Sequence, residues 1–304
     1  SLSLSLSPNN TIKRFHSLTN SRKKSGTMFR VPMRSRLRVT HLRWMSSSSS
    51  SSSSPSPVSI VRRAEESFRD KTAIWKDENE QYSYEDVLET SERIAKELLR
   101  RSNSKDLKET CVSFMCPPSF EYVAMQWGIW RAGGIAVPLC TDHSVSELQY
   151  VLQDSNANIV MSHKDFADRI ESARTGLDCD LFEVSTENMK NQSTTTQLPS
   201  SFGDEDRGAL MIYTSGTTGK PKGVLSTHTG LEAQITSLVN AWGWSENDRI
   251  LNVLPLHHVH GVVNVVSCAL YVVLERSFIS QENHSNSNAQ MHTQRVRKLN
   301  SRFA

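Results

Sequence analysis

The feature that most constrains the fold is a regular alternation of short apolar segments with helix-start signals in the middle of the chain. The apolar segments are residues 111–116, 135–139 and 158–162. Between them, Pro117 and Ser119 open one helical segment, and Ser144 with Glu147 forms the capping-box pattern of another. Strands that alternate with helices over short connections form a parallel sheet. The sequence therefore predicts an α/β fold with helices flanking the sheet.

Further elements are predicted on both sides of this alternation. Ser83 and Asp86 form a second capping-box pattern, before a helix that ends near residue 101. Thr229 and Glu232 form a similar pattern, which predicts a helix ending near residue 242. The other predictions are a helix at 60–68, a hairpin of 72–75 with 81–84, a polar exposed linker at 185–206, strands at 209–213, 224–227 and 250–254, and a buried helix at 262–270.

Charge is distributed unevenly along the chain. The net charge is +3, yet residues 1–64 contain 12 Lys and Arg and no acid, which leaves 23 basic and 32 acidic residues in the remainder. An acidic body argues against a nucleic-acid partner. The five cysteines form no CxxC pair, which favours reduced thiols over a disulfide framework. No apolar run reaches the roughly 18 residues that a membrane-spanning helix needs.

The N-terminal segment has the composition of an organelle transit peptide. Residues 1–57 are rich in Ser and Arg, and Arg and apolar residues interleave after Met28. The segment predicts a mitochondrial location, with a plastid as the second choice. A start at Met45 would remove most of the basic residues and predicts a cytosolic protein instead. A disordered tail without any targeting signal is the simplest alternative.

A loop rich in glycine and hydroxyl groups follows the predicted strand at 209–213. Its candidate ATP- and phosphate-binding residues are Thr214, Ser215, Gly216, Thr217, Thr218, Gly219, Lys220 and Lys222. Glycines allow backbone N–H groups to approach a polyanion closely, while hydroxyls add donors and lysines add charge. Two residues separate Gly216 from Gly219 and Pro221 follows the lysine, so the spacing excludes a Walker A loop.

Residues 213–223 resemble the signature loop of the adenylate-forming, AMP-dependent acyl-CoA synthetase family. The passage at residues 131–139 is similar to the same family. The resemblance implies that residues 58–270 form part of the N-terminal large domain of that fold, with mixed and parallel sheets. It also implies that Thr214–Gly219 and Lys222 close over the triphosphate of ATP. ATP, Mg²⁺ and coenzyme A are the expected cofactors and substrates, in an acyl-adenylate step followed by a thioester step.

Three histidines close to one another follow the predicted strand at 250–254. No Cys, Asp or Glu stands near them in sequence, so a metal site is not expected, and core or capping histidines are one alternative. Residues 255–261 are similar to the malonyl-CoA synthetase branch of the family. That similarity implies His258 and His260 as residues of the acyl pocket and malonate as the carboxylic acid. Acetate, medium-chain and aromatic acids remain alternatives.

The sequence from residue 271 onwards is polar and departs from the family pattern. We expect the resemblance to stop near Leu270 and residues 271–304 to be an aberrant disordered tail. The family's adenine- and ribose-binding segments, its hinge, its catalytic lysine and an arginine for the acid then have no counterpart. No catalytic residue is therefore assigned, and the isolated chain is predicted to lack ligase activity. A non-catalytic binding fragment or splice product is the alternative to a ligase.

Overall fold

The structure is a computed structural model. It describes residues 59–272 apart from 77–78, 186–195, 200–205, 215–218 and 246–247. The predicted targeting segment and all but the first two residues of the predicted tail therefore lie outside the described residues. Most of the predicted linker at 185–206 also lies outside them.

The described chain alternates strands and helices. The strands are β1 Thr72–Trp75, β2 Gln81–Ser83, β3 Cys111–Met115, β4 Ile135–Pro138, β5 Ile159–His163, β6 Asp180–Val184, β7 Gly208–Thr214 and β8 Lys222–Thr227. The helices are α1 Ser59–Ser67, α2 Tyr84–Arg101, α3 Phe120–Arg131, α4 Val145–Asp154, α5 Ala167–Ala173, α6 His228–Trp242, a π-helix His260–Ser267 and α7 Cys268–Val272. Within the described helices, no segment has the length and apolar character to cross a bilayer.

The main sheet contains β3 to β8 in the spatial order β6-β5-β3-β4-β7-β8. Strands β6, β5, β3, β4 and β7 run parallel, and β8 pairs with β7 in the antiparallel direction. The chain passes from β3 to β4 on one side and then returns to β5 on the other side. The connection that leaves β3 and the one that leaves its neighbour β5 therefore run in opposite directions, which places a topological switch point between β3 and β5. Strands β1 and β2 form a separate antiparallel hairpin, as the sequence predicted.

Helices cover both faces of the main sheet. On one face, the larger core cluster joins Phe114 of β3 to Trp127 and Trp130 of α3 and to the apolar side of α2. On the other face, Met115 and Val160 pack with Leu148 of α4 and with α5. Side chains of a strand alternate between faces, so successive residues of β3 serve opposite layers. This doubly covered sheet confirms the predicted α/β fold.

Two of the three capping boxes that the sequence predicted begin helices in the structure. Ser83 caps α2, where its hydroxyl accepts a hydrogen bond from the Asp86 N–H at 3.1 Å. Ser144 caps α4 in the same way with Glu147. The helix predicted to end near residue 242 is present as α6, but the cap predicted at Thr229 and Glu232 was wrong. Helix α6 is capped two residues earlier by Thr227, whose hydroxyl accepts from the Gly230 N–H at 3.1 Å because β8 ends in extended backbone there.

The structure also corrects the strand predicted at residues 250–254. Only an isolated bridge at Leu251 is present. The Asn252 side chain bonds both the N–H and the carbonyl of Leu254, at 3.3 Å each. Such local bonds compete with sheet pairing. Helix α5 and strand β6 were not predicted, and the predicted buried helix at 262–270 is present, although its first part is π-helical.

Candidate functional site

The carboxyl ends of the parallel strands collect the segments that carry candidate chemistry. Residues 139–144 follow β4, and the predicted phosphate loop follows β7. In open α/β sheets, ligands bind beyond the carboxyl ends of the strands, near a topological switch point. The Arg169 side chain of α5 donates a hydrogen bond to the Thr141 carbonyl and ties the segment after β4 to this edge. The candidate site is therefore built on the edge where the fold favours binding.

The phosphate loop is the connection of a β-hairpin. Thr214, the last residue of β7, pairs with Lys222, the first residue of β8. Thr214, Gly219, Lys220 and Lys222 are exposed, and residues 215–218 lie outside the described residues. The antiparallel pairing places Thr214 directly opposite Lys222, on the same rung of the two-stranded ladder. Two of the predicted phosphate-binding residues are thus adjacent in space although seven residues lie between them in sequence.

Two glycines of this hairpin stand in different surroundings. Gly219 has φ +96°, a conformation that strains any residue with a Cβ, although no atom lies within 4 Å of where that Cβ would stand. Gly223 has a tight neighbour instead, because its Cβ would lie 2.8 Å from the Met211 sulfur on β7. The first glycine shapes the loop backbone, and the second lets β8 pack against β7.

Helix α4 contacts the loop where the chain returns to β8. The Tyr150 hydroxyl donates to the Pro221 carbonyl at 2.9 Å, and the Lys220 Nζ lies 5.2 Å from the centroid of the Tyr150 ring. The Tyr213 hydroxyl donates to the Asp154 carboxylate at 2.8 Å. Burial, and then the neighbouring Asp154, raise the pKa of both tyrosines. Both phenols therefore remain hydrogen-bond donors at neutral pH.

A tight turn carries the histidines. The His258 N–H donates to the Pro255 carbonyl at 3.3 Å, and the Gly261 N–H donates to the His258 carbonyl at 3.0 Å. A Cβ on Gly261 would lie 2.2 Å from the Pro255 carbonyl oxygen, so only glycine fits. The buried Tyr122 hydroxyl of α3 donates to the Leu256 carbonyl at 2.7 Å. The turn is thus held by its own backbone hydrogen bonds and by the hydrogen bond from the buried Tyr122 side chain.

The three histidines stand in different environments. His258 and His260 are exposed, whereas His257 is half-buried, with its ring 4.1 Å from the His258 ring and 6.2 Å from the His143 ring. Burial, and then the neighbouring imidazoles of His258 and His143, lower the pKa of His257 to about 4, against a smaller opposing effect of Asp142. At neutral pH, His257 is an uncharged imidazole with one donor and one acceptor.

Sequence reasoning identified part of this arrangement. The structure places the predicted His258 and His260 on the surface of the turn that carries them. His143, whose Nδ1 is buried with no hydrogen-bond partner, was not predicted, and neither were Tyr150, Asp154 and His257. A tyrosine and an acid four residues apart on a helix gave no signal that they face a distant loop. Among the residues that the structure describes, no group of three His, Cys, Asp or Glu side chains is arranged to hold a metal ion.

Comparison with known families decides the assignment. Residues 61–301 match the AMP-binding enzyme family. The chain belongs to this family. The match continues beyond Leu270, the point at which we expected the resemblance to stop.

Curated relatives and solved structures agree with this membership. The mitochondrial malonate–CoA ligase of Xenopus laevis is 42% identical over 67% of this chain and 36% of its own length. The malonate–CoA ligase of Arabidopsis thaliana is 33% identical over 66% of this chain and 36% of its own length. The chain thus spans about a third of the length of the curated relatives it matches. The crystal structure of ATP-bound MatB from Rhodopseudomonas palustris, 23% identical, matches 72% of this chain and 44% of its own with a TM-score of 0.63, which shows the same fold.

Proposed function

We propose that the chain supplies the polyphosphate-binding and acid-binding part of an ATP-dependent acid–CoA ligase, with malonate as the acid. The observation that carries this proposal is the hairpin at the carboxyl edge, in which Thr214 and Lys222 share a rung on either side of a family signature loop. The names of the relatives support the choice of malonate.

In the proposed complex, the hairpin loop holds the β- and γ-phosphates of ATP. Residues Thr214–Gly219 contribute hydroxyl and backbone N–H donors, and Lys222 contributes positive charge beside Thr214. Gly219 supports this role because its left-handed backbone turns the chain without a side chain in the way. Donors that are fixed in advance stabilise the charge that develops as pyrophosphate leaves.

The acid is proposed to bind beside the histidine turn. His258 and His260 are exposed on a turn whose backbone is held by Pro255 and by Tyr122. Imidazole N–H groups can donate to the second carboxylate of malonate, whereas a fatty acid would need apolar walls instead. The half-buried His257 supports the turn from behind as an uncharged ring.

The proposed reaction has two steps. An oxygen of the acid carboxylate attacks the α-phosphorus of ATP, the bond to the β-phosphate breaks, and acyl-AMP and pyrophosphate form. The coenzyme A thiol then attacks the acyl carbon, loses its proton and releases AMP. Positioning of the reactants and neutralisation of phosphate charge are the protein's main contributions.

Mg²⁺ is the metal that the family implies. The described residues contain no enclosing set of metal ligands, which fits an ion held mainly by the phosphates and water. Among the described residues of the loop, Thr214 has a hydroxyl oxygen that could serve as a ligand of the ion. When bound, Mg²⁺ would add positive charge to the phosphate oxygens.

We also propose a mitochondrial location. The relatives from Xenopus laevis, Mus musculus and Homo sapiens are named as mitochondrial proteins. The basic, acid-free composition of residues 1–57 supports the same compartment. Fluorescence microscopy of a fusion with residues 1–64 tests this, and a cytosolic or plastid signal would contradict it.

Titration calorimetry of the 304-residue chain with MgATP tests the phosphate site. Lys222→Gln should weaken MgATP binding by about tenfold and should reduce its dependence on salt, because one charge contact is lost. Lys105→Gln is the matched control, since Lys105 is an exposed lysine that precedes β3 and lies near the amino ends of the strands. Equal effects of the two substitutions would contradict the proposal.

The choice of acid needs a separate titration. Malonate, acetate, octanoate and benzoate are compared with the chain in the presence of MgATP. Malonate should bind most tightly, and combined replacement of His258 and His260 by Ala should remove this preference without affecting MgATP. Tighter binding of a monocarboxylate would contradict malonate while leaving the phosphate site intact.

A further inference from the structure

The two lysines of the phosphate loop have different surroundings. Lys222 begins β8 and is exposed beside Thr214. The Lys220 ammonium instead lies over the ring of Tyr150, a residue of α4. The two side chains are only two residues apart, yet the structure turns one towards α4. A single shared role in phosphate binding does not account for this difference.

Helix α4 is connected to both strands of the hairpin. Through the Tyr150 hydroxyl, it bonds the carbonyl of Pro221, the residue directly before β8. Through Asp154, it accepts a bond from the Tyr213 hydroxyl, near the end of β7. Tyr150 and Asp154 lie one helical turn apart, with the phenol 3.4 Å from the carboxylate. The contacts therefore link one turn of α4 to the residues on either side of the loop.

We propose that Tyr150, Asp154 and Tyr213 form an anchor that fixes both ends of the phosphate loop on α4, and that Lys220 belongs to this anchor. These are positioning residues: they hold the Thr214 and Lys222 rung in place, and they leave Lys222 to meet the polyphosphate. The inference rests on the proposed function for its consequence in ATP binding. The anchor itself is a property of the unliganded chain.

The chemistry of the contacts favours a fixed anchor. Neither phenol loses its proton near neutral pH, because burial and Asp154 raise the pKa of both. The Pro221 ring restricts the backbone next to the bonded carbonyl. A lysine over an aromatic face gains a modest attraction, and an ordered lysine gives up rotamer freedom before any ligand arrives. Pre-organisation of this kind raises affinity without a direct contact to the ligand.

Hydrogen exchange of the unliganded 304-residue chain tests the anchor directly. Tyr150→Phe removes only the hydroxyl, and Tyr150→Leu also removes the ring beneath Lys220. We expect exchange in the peptide spanning residues 219–225 to accelerate about threefold to tenfold in the first variant and more in the second. Tyr82→Phe is the matched control, because it removes a phenol-to-carboxylate bond with Glu80 in the separate hairpin. Unchanged exchange in both Tyr150 variants would overturn the anchor.

Titration with MgATP tests the role of Lys220. Lys220→Arg keeps a cation over the ring and should bind like the unmodified chain. Lys220→Gln should weaken binding about threefold with the salt dependence unchanged, and in combination with Tyr150→Leu it should add little, as expected for coupled groups. If Lys220→Gln reduces the salt dependence as much as Lys222→Gln, Lys220 contacts phosphate and the assignment is wrong. If no variant binds MgATP, the proposed function fails while the exchange result still decides the anchor.

Discussion

Gly261→Ala is a sharp test of the histidine turn. Gly261 is buried at the start of the π-helix, and its added Cβ would lie 2.2 Å from the Pro255 carbonyl oxygen, 2.9 Å from the Pro255 carbonyl carbon and 3.2 Å from the Leu254 carbonyl oxygen. All three neighbours are backbone atoms, so no side-chain rotation relieves the contact. The turn must open before alanine fits.

The size of the effect follows from this distance. Real Cβ contacts essentially never fall below 3.0 Å, so the Pro255 carbonyl must move by about 0.8 Å or more. That movement breaks the bond of 3.3 Å from the His258 N–H and pulls on the Leu256 carbonyl that Tyr122 holds. Overpacking of this kind costs about 3 kcal/mol. In a chain of this size, the thermal midpoint should fall by roughly 6–12 °C.

Urea and thermal unfolding, followed by tryptophan fluorescence, measure this cost. Gly230→Ala is the matched control because its Cβ would meet only the Thr227 hydroxyl, at 3.2 Å, in the first turn of α6. Alanine is the better helix former there, so Gly230→Ala should leave stability unchanged or raise it by up to about 1 kcal/mol. If Gly261→Ala is as stable as Gly230→Ala, the turn does not pack as described and the reasoning is refuted.

Three further outcomes are expected. Tyr122→Phe should cost about 1–3 kcal/mol in urea unfolding, equally at pH 6 and pH 8, because it leaves the buried Leu256 carbonyl without its 2.7 Å bond and burial raises the pKa of the phenol; a loss at one pH only would contradict this. Burial lowers the pKa of His228 and of His257 from 6.5 to about 4, so the folded chain binds fewer protons than the unfolded chain, and stability should fall as the pH drops from 6.5 towards 4. Replacement of His228 and His257 by Phe should reduce the change of the urea midpoint between pH 7.5 and pH 5.5. An unchanged pH dependence would argue against the burial of the two rings. The 304-residue chain should bind MgATP but form no malonyl-CoA by chromatography, and measurable thioester would refute the expectation of inactivity.

Local sequence signals determined most of the elements. The capping boxes at Ser83 and Ser144 involve residues three apart, so their hydrogen bonds form wherever the helix forms. The apolar runs that became β3, β4 and β5 are short and continuous because both faces of these strands are covered. The loop from Thr214 to Lys222 was recognisable because its glycines, hydroxyls and lysines are consecutive. These features depend on near neighbours, which a sequence displays directly.

Only the tertiary structure decided how these parts meet. The sequence did not show that β8 would reverse direction and place Lys222 opposite Thr214, or that Asn252 would bond its own backbone and prevent a strand. It grouped Lys220 with Lys222, whereas the fold brings Lys220 to a tyrosine 70 residues earlier. Besides burial and His258, the pKa of His257 is lowered by His143, which lies on the loop after β4. Contacts between distant segments depend on how the helices and the sheet pack, and no short pattern in the chain records that packing.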